Sequence, residues 1–524
     1  MDSQTDGRDA NDVQTFTDSA THAVGASAPL YAKRTKIFPK RAEGRFRRLK
    51  WIVMAATLGV YYLTPWLRWD RGPYAPDQAV LLDLANRRFY FFFIEIWPQE
   101  FFYVAGLLVM AGIGLFLVTS VVGRAWCGYA CPQTVWTDLF LTVERAVEGD
   151  RNARMRLDKA PYDAAKIAKR VLKHAIWIVI SVATGGAWIF YFADAPTLMR
   201  DVVTLNAPFV AYATIGILTF TTYCLGGLMR EQVCIYMCPW PRIQAAMLDE
   251  HSLTVTYNDW RGEPRSRHRK RAAAAGEPVG DCIDCNACVA VCPTGIDIRE
   301  GQQLGCITCA LCIDACDAVM DKIGKERGLI AYATFNDYET NMALASDPVT
   351  GQIVPSRVRD ASGRFAKAFR HFDWRIMIRA RTLIYLAAWC AIGLALVTAL
   401  SLRSRLDLNV QHDRNPVFVT LKDGSTRNGY TVKLLNMVPE PRTLTLAIAG
   451  LDGALMSIPD LGLDGVSEAD VPVEPDLLRS IKVFISQAPD AAEPGSSEFR
   501  FTAVDRASGE ADRYDAIFET PDRP

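Results

Sequence analysis

The chain has no excess of either charge: 58 Lys and Arg balance 58 Asp and Glu over 524 residues. Net charge therefore gives no reason to expect a nucleic-acid partner. Histidine is scarce, with six in all, and only His174 lies at the edge of a long apolar run. The paired histidines of a membrane b-haem are thus missing. No glycine-rich dinucleotide fingerprint stands out. The first thirty residues have no apolar core of the signal-peptide kind and are expected to be a disordered tail. The last 120 or so residues hold no cysteine, which excludes an Ig-type disulfide there.

What is present is segregated. Five apolar runs lack internal charge and reach the roughly 20 residues a bilayer span needs: Lys50–Trp69, Phe101–Val122, His174–Phe192, Phe209–Met229 and Thr382–Leu402. Basic stretches lie between them, including YAKRTKIFPKRAEGRFRRLK before the first and RGEPRSRHRKR at Arg261–Arg271. Placing every basic loop in the cytoplasm puts the N-terminus inside and the C-terminus outside, as five spans allow. The aromatic stretch RRFYFFFIEIWPQEFF then falls in an external loop, at the membrane interface or as a short helix on the bundle. After the last span come short β-branched segments (PVFVTL, GYTVKLLNM, RTLTLAIAG, SIKVFISQ, EFRFTAV) bounded by Gly, Pro, Asp or Asn, the pattern of a β-sandwich.

Of the fourteen cysteines, eight fall in the 35-residue window 282–316 and four more form two pairs, all near segments expected in the reducing cytoplasm. Cys282, Cys285, Cys288 and Cys292, followed by Pro293, have C-x2-C-x2-C-x3-C-P spacing, and Cys306, Cys309, Cys312 and Cys316 repeat it with Asp317 in place of proline. This is the two-cluster ferredoxin pattern, in which the fourth cysteine of each run serves the other cluster. One [4Fe–4S] cluster is assigned to Cys282, Cys285, Cys288 and Cys316, the other to Cys306, Cys309, Cys312 and Cys292. Single C-x2-C pairs often bind zinc, but two such runs specify iron–sulfur. Two adjacent clusters imply an electron relay, the alternative being a purely structural role.

The remaining pairs repeat each other. GRAWCGYACPQTVW holds Cys127, Cys131 and Pro132, and REQVCIYMCPWPR holds Cys234, Cys238 and Pro239. Each C-x3-C-P motif ends an apolar span with an Arg nearby, which suggests a duplicated helical hairpin. On a helix the two cysteines would share a face. Such dithiols can bind a soft metal or cycle with a disulfide, and thiolates favour Cu(I), with Met237 as a further thioether ligand. The plainer reading is buried small hydrophobes at helix ends, and that reading is preferred for Cys224 and Cys390.

These motifs, together with FPKRAEGRFRRLKW, CIDACDAVMDKIGKERGLIAY and LNVQHDRNPVFVTLKDGSTRNGY, resemble the CcoG/FixG/RdxA family of cytochrome c oxidase accessory proteins. The resemblance implies a bacterial inner-membrane cupric reductase that converts Cu(II) to Cu(I) in support of cbb-type oxidase assembly. Copper is then a substrate, copper transporters, chaperones and assembly factors are partners, and the electron donor is unnamed. The eight cluster cysteines carry over directly, and Cys127, Cys131, Cys234 and Cys238 as the redox or copper dithiols. Two rivals remain: a quinol-linked membrane electron-transfer subunit of NapH type, and a non-enzymatic assembly scaffold.

The expected fold is a multi-domain α+β membrane protein with a five-helix transmembrane bundle, a dicluster ferredoxin insert and a C-terminal Ig-like β-sandwich. Its expected divisions are a tail at 1–49, four helices with both motifs at 50–260 and the ferredoxin domain at 261–335. A connector at 336–381, a fifth helix at 382–402 and a periplasmic β domain at 403–524 complete it.

Overall fold

Backbone groups deprived of water must bond within their own segment, so apolar runs of this length become helices. In a computed structural model that describes residues 36–359, 369, 378–491 and 494–521, four helices are long and apolar enough to cross a membrane. They are Pro98–Val122, Ala164–Ile189, Phe209–Met229 and Ala380–Leu402. The chain divides into two units, Met1–Pro65 with Val104–Ile392 and Trp66–Tyr103 with Gly393–Pro524. The expected disordered tail and most of 360–377 in the expected connector lie outside the described residues.

The helices that frame the cysteine motifs are, in chain order, α1 (Arg45–Leu63), α2 (Phe102–Val122), α3 (Ala125–Tyr129), α4 (Pro132–Glu148), α5 (Ala164–Ile189) and α6 (Phe209–Thr222). They continue as α7 (Trp240–Met247), α8 (Ala287–Val291), α9 (Leu311–Lys322) and α10 (Ala380–Leu402). The expected first span, Lys50–Trp69, is corrected by α1. That helix starts at Arg45 and ends at Leu63, and its opening turns carry Arg45, Arg47, Arg48 and Lys50, so it is not among the four apolar helices. These charges have protein partners. Buried Arg47 reaches both carboxylate oxygens of buried Asp138 at 2.8 and 2.9 Å. The Asp314 carboxylate accepts the backbone N–H groups of Phe46 at 3.2 Å and Arg47 at 2.7 Å. Asp314 lies on α9, so a residue between two cysteines caps the helix that leads into the bundle.

Farther along, α1 packs on α5. Tyr61 donates to the Thr184 carbonyl at 2.8 Å, and Trp136 of α4 donates to the Thr184 hydroxyl at 3.0 Å. Two strands, Thr254–Tyr257 and Ile330–Ala333, pair antiparallel and flank the cysteine-rich segment.

In the second unit, Val80–Asp83, Arg88–Phe91 and Ile94–Ile96 form an antiparallel three-stranded sheet. The first part of the aromatic stretch is therefore a strand hairpin and not the short helix considered from sequence, with a single 3-10 turn at Pro98–Glu100. It turns at Phe92, whose φ of 53° reverses the chain. The C-terminal segment forms two antiparallel sheets. One is ordered Leu463–Val466, Leu455–Ile458, Leu478–Gln487, Thr426–Asn436 and Leu406–His412, with Phe418–Thr420 also on Thr426–Asn436. The other is ordered Glu468–Val473, Arg442–Ala449, Gly495–Asp505 and Ala511–Thr520. Alternate residues turn inward around one core that includes Val432, Leu444, Val483 and Phe501. Buried Tyr430 ties the sheets together by donating to the Ile517 carbonyl at 2.7 Å.

Candidate functional site

Three thiols spaced two residues apart can face one space only if the chain turns sharply between them. Here Asp284 and Asn286 flank Cys285 at φ 50° and 54°, and Thr308 and Ala310 flank Cys309 at 55° and 58°. None is glycine, and each left-handed residue costs about 1–2 kcal/mol. The strain recurs at matching positions of the two loops, where the surrounding structure holds it.

Beyond the loops the runs differ. The helix α8 stops at Val291, and Cys292 and Pro293 turn away from it. In contrast, α9 continues through Cys316 and Asp317 to Lys322. A proline at 317 would break that helix. Instead, the Asp317 carboxylate accepts the Gly328 N–H at 3.0 Å.

Two cavities result. One is lined by Cys282, Cys285, Cys288 and Cys316, the other by Cys292, Cys306, Cys309 and Cys312 with Cys288 on its wall. The rest of the lining is mainly apolar, with Ile296, Ile298 and Leu311 in one and Met320, Leu329 and Ile330 in the other. Among the described residues no three His, Cys, Asp or Glu side chains converge on a single-ion site. The sulfurs of each set stand around a void. Burial pushes the Cys306 and Cys316 thiols up to about 12 and Cys288 to about 11. Backbone N–H groups of Thr308, Leu311 and Val289 oppose this at Cys306, Cys309 and Cys288. Thiols held this high become thiolates when a cation displaces their protons. Four soft donors around each apolar void fit a [4Fe–4S] group.

The two C-x3-C-P motifs come together, although neither is a simple α-helix. Cys127 lies in α3 and Cys131 caps α4, which starts at Pro132. Cys234 lies in a wide π-turn, Val233–Met237, and Cys238 leads through Pro239 into α7. Burial pushes the Cys127 thiol up to about 12, and Cys131, Cys234 and Cys238 add to the push, while Arg124 opposes it. Burial likewise pushes Cys234 up to about 11, with Cys131 and Cys238 adding to it. The four sulfurs thus form one electrostatic cluster. Exposure grades across it: Cys238 and Met237 are exposed, Cys131 and Cys234 half-buried and Cys127 buried.

The first motif also rests on a ferredoxin loop. Cys127 shares a buried cluster with Ile307, Cys309 and Leu311. A β-carbon on Gly128 would stand 2.7 Å from the Ile307 carbonyl oxygen, so only glycine permits this approach. Tyr129 donates to the Cys309 carbonyl at 3.2 Å, and Arg124 donates to that of Leu304. The Cys127 thiol donates to Gln244 Oε1 at 3.1 Å, and Gln244 Nε2 donates to Thr119 at 3.2 Å. Gln244 is on α7, so this bond joins the two motifs. Sequence reading missed Gly128, Tyr129 and Gln244, which carry no motif of their own. The repeated left-handed positions beside Cys285 and Cys309 also escaped it. Cys224 is half-buried and Cys390 exposed, and neither lines the two cysteine cavities.

Fold and site together define a membrane iron–sulfur protein with ferredoxin-type clusters and an Ig-like C-terminal domain. Family profiles agree: "4Fe-4S binding domain" matches 104–146, "4Fe-4S dicluster domain" 229–335 and "IG-like fold at C-terminal of FixG" 396–521. The chain is 67% identical over 500 residues to the nitrogen fixation protein FixG of Rhizobium meliloti, covering 95% of each. It is 53% identical to protein RdxB of Cereibacter sphaeroides, over 94% of this chain and 98% of that protein. It is also 53% identical to protein RdxA of the same organism, over 90% and 93%. The chain belongs to the CcoG/FixG/RdxA family.

Proposed function

We propose that the protein is a membrane cupric reductase that reduces Cu(II) to Cu(I) at its membrane-edge dithiols and so supports assembly of a cbb-type oxidase. The carrying observation is the packing of Cys127 with Cys309 in one buried cluster.

Cys282, Cys285, Cys288 and Cys316 would hold one [4Fe–4S] cluster, and Cys292, Cys306, Cys309 and Cys312 the other. What supports this is that each set lines its own cavity. When bound, the two clusters supply one-electron redox chemistry in series. The chain's own residues then do the rest. Gly128 and Tyr129 hold the first motif against the Cys309 loop. Exposed Cys238 and Met237 meet the arriving ion, which takes one electron. Thiolate sulfur stabilises the Cu(I) product over Cu(II).

We place the clusters and N-terminus in the cytoplasm, the C-terminal domain in the periplasm and the protein in the bacterial inner membrane. This orientation needs α1 as a fifth span. Support comes from its exposed apolar side chains, among them Ile52, Val60 and Leu63. The printed name of the FixG relative ties that protein to nitrogen fixation, and copper transporters, chaperones and oxidase assembly factors are the partners proposed here.

A second reading has its own support, since the "4Fe-4S binding domain" profile spans the first dithiol. In that reading the four membrane-edge cysteines hold a third cluster. One experiment separates the two. The purified protein is reduced anaerobically with dithionite, then given Cu(II) and a Cu(I)-specific chelator, with iron content measured in parallel. The expected result is Cu(I) formed with matching cluster oxidation, its loss in the Cys127→Ser/Cys234→Ser variant, and unchanged iron in that variant. Clusters that stay reduced while Cu(II) persists overturn the reductase reading. A variant that loses a third of the iron selects the third cluster.

A further inference from the structure

A cavity of about 320 Å³, within the range of small-molecule sites, lies beside the dithiols and plays no part in the function above. Its walls are the middle of α5, including Lys173, His174 and Trp177, and the segment after α6, including Arg230 and Glu231. Phe38 and Glu144 close it.

The charges here largely cancel. Glu144 accepts from Arg154 at 2.7 Å, Arg230 at 3.0 Å and Lys173 at 3.4 Å. Glu148 pairs with Lys173 at 2.9 Å and Arg170 at 3.1 Å, and Asp158 pairs with Arg170 at 3.0 Å and with Lys36. With Glu231, which has a partner of its own, four carboxylates and five cations lie on or next to the cavity wall among the described residues. Each of these cations already has a carboxylate, so a phosphate or other anion would have to break an ion pair to bind.

What the cavity offers instead is aromatic surface and hydrogen bonding. Trp177 is buried, stacked on Phe140 with ring centroids 5.3 Å apart, and flanked by Lys173 and Arg230. His174, on the cavity wall, has Nδ1 hydrogen-bonded to the Tyr223 hydroxyl at 2.9 Å. Glu231 lines the same cavity. Both walls belong to or end candidate spans, Ala164–Ile189 and Phe209–Met229. A neutral aromatic diol dissolved in the membrane matches this setting.

The cavity is joined to both dithiols. Gln133, two residues beyond Cys131, donates to the carbonyls of Leu225 at 2.7 Å and Arg230 at 3.1 Å. Cys234 follows Glu231 by three residues.

We propose that this cavity is a quinol-oxidising site, and that quinol supplies the electrons for the iron–sulfur function on which this proposal rests. Two O–H bonds of the hydroquinone break and a quinone forms. One electron goes to each of two one-electron iron–sulfur centres. One proton passes to His174 Nε2 and one to the Glu231 carboxylate, and both then pass to water.

The test uses the full-length holoprotein in detergent. Binding of decyl-ubiquinone is measured by calorimetry, its site is mapped with a photoreactive azidoquinone, and cluster reduction by decyl-ubiquinol is followed by electron paramagnetic resonance. The expected result is saturable binding, cross-links on α5 or residues 227–231, and at least tenfold weaker binding in His174→Phe. Glu231→Gln should bind quinone normally and slow cluster reduction at least tenfold, which keeps the test open if His174→Phe fails to fold. Absence of saturable binding, cross-links elsewhere, or displacement of quinone by phosphatidylglycerol alone overturns the proposal. Dithionite bypasses the cavity. Loss of dithionite-driven Cu(II) reduction with quinone binding intact would therefore sink the copper reading and leave this one standing.

Discussion

The Cα of Cys309 lies 3.0 Å from the point where a β-carbon on Gly128 would stand. The neighbours at that point are backbone atoms of the loop that carries Cys309, and they cannot swing aside. Gly128→Ala should therefore overpack the contact at a cost of about 1–3 kcal/mol. It should lower the thermal midpoint of cluster absorbance and slow dithionite-driven Cu(II) reduction, with iron content near wild type. An unchanged midpoint and rate would show that the motif and the loop are not coupled.

Asp317 occupies the place proline takes in the first run. Asp317→Pro should break α9 next to Cys316 at a cost of about 3 kcal/mol or more. The cluster held by Cys282, Cys285, Cys288 and Cys316 should be lost, halving the iron. Pro293→Ala, at a helix end, should retain both clusters. Full iron in Asp317→Pro would show that Cys316 does not depend on the helix.

Asp281 sits directly before Cys282. Burial pushes its carboxyl up, but Arg261 and Arg359, each at 2.7 Å, more than offset this and hold it at about 2. A depressed carboxylate stabilises the fold above its unfolded value of about 3.9, and this stability is lost as the pH falls toward about 2. Asp281→Asn takes from buried Arg261 the carboxylate it reaches at 2.7 Å and should cost about 3–5 kcal/mol near neutrality. Thermal melts followed by circular dichroism should show this, with a smaller difference from wild type at acid pH. A constant difference across that range would mean that the ion pair is not its source.

The Cys127 and Cys234 thiols, pushed by burial to about 12 and about 11, are protonated near neutrality. Each must release its proton to bind copper. Apparent Cu(I) affinity should then rise roughly tenfold per pH unit for each thiol engaged, until the pH nears those values. Competition with a Cu(I) chelator at several pH values gives the slope. A flat profile would remove these thiols from the copper site.

The cysteine spacing made the two sets of four legible, because a cluster needs thiols at intervals the local chain can turn through. The apolar runs made four helices legible for a similar reason, since chain buried in lipid must bond to itself. The first span was less legible. Arg47 pairs with Asp138, and Asp314 caps the helix from 267 residues farther along the chain, so α1 begins five residues before the apolar run. The hairpin in the aromatic stretch at 87–102 was not legible either, because aromatic residues suit a strand and a membrane interface alike and only the turn at Phe92 shows the strands.

Thiol chemistry and local spacing single out the two sets of four cysteines and the two dithiol pairs from the chain alone, and length and apolarity single out the segments able to enter a membrane. It took the folded chain to pack Cys127 with Cys309, to bring two motifs more than a hundred residues apart within electrostatic reach of each other, and to set His174 and Glu231 on one cavity. Those relationships depend on helix packing and on the absence of a side chain at Gly128, and no local pattern of residues encodes either.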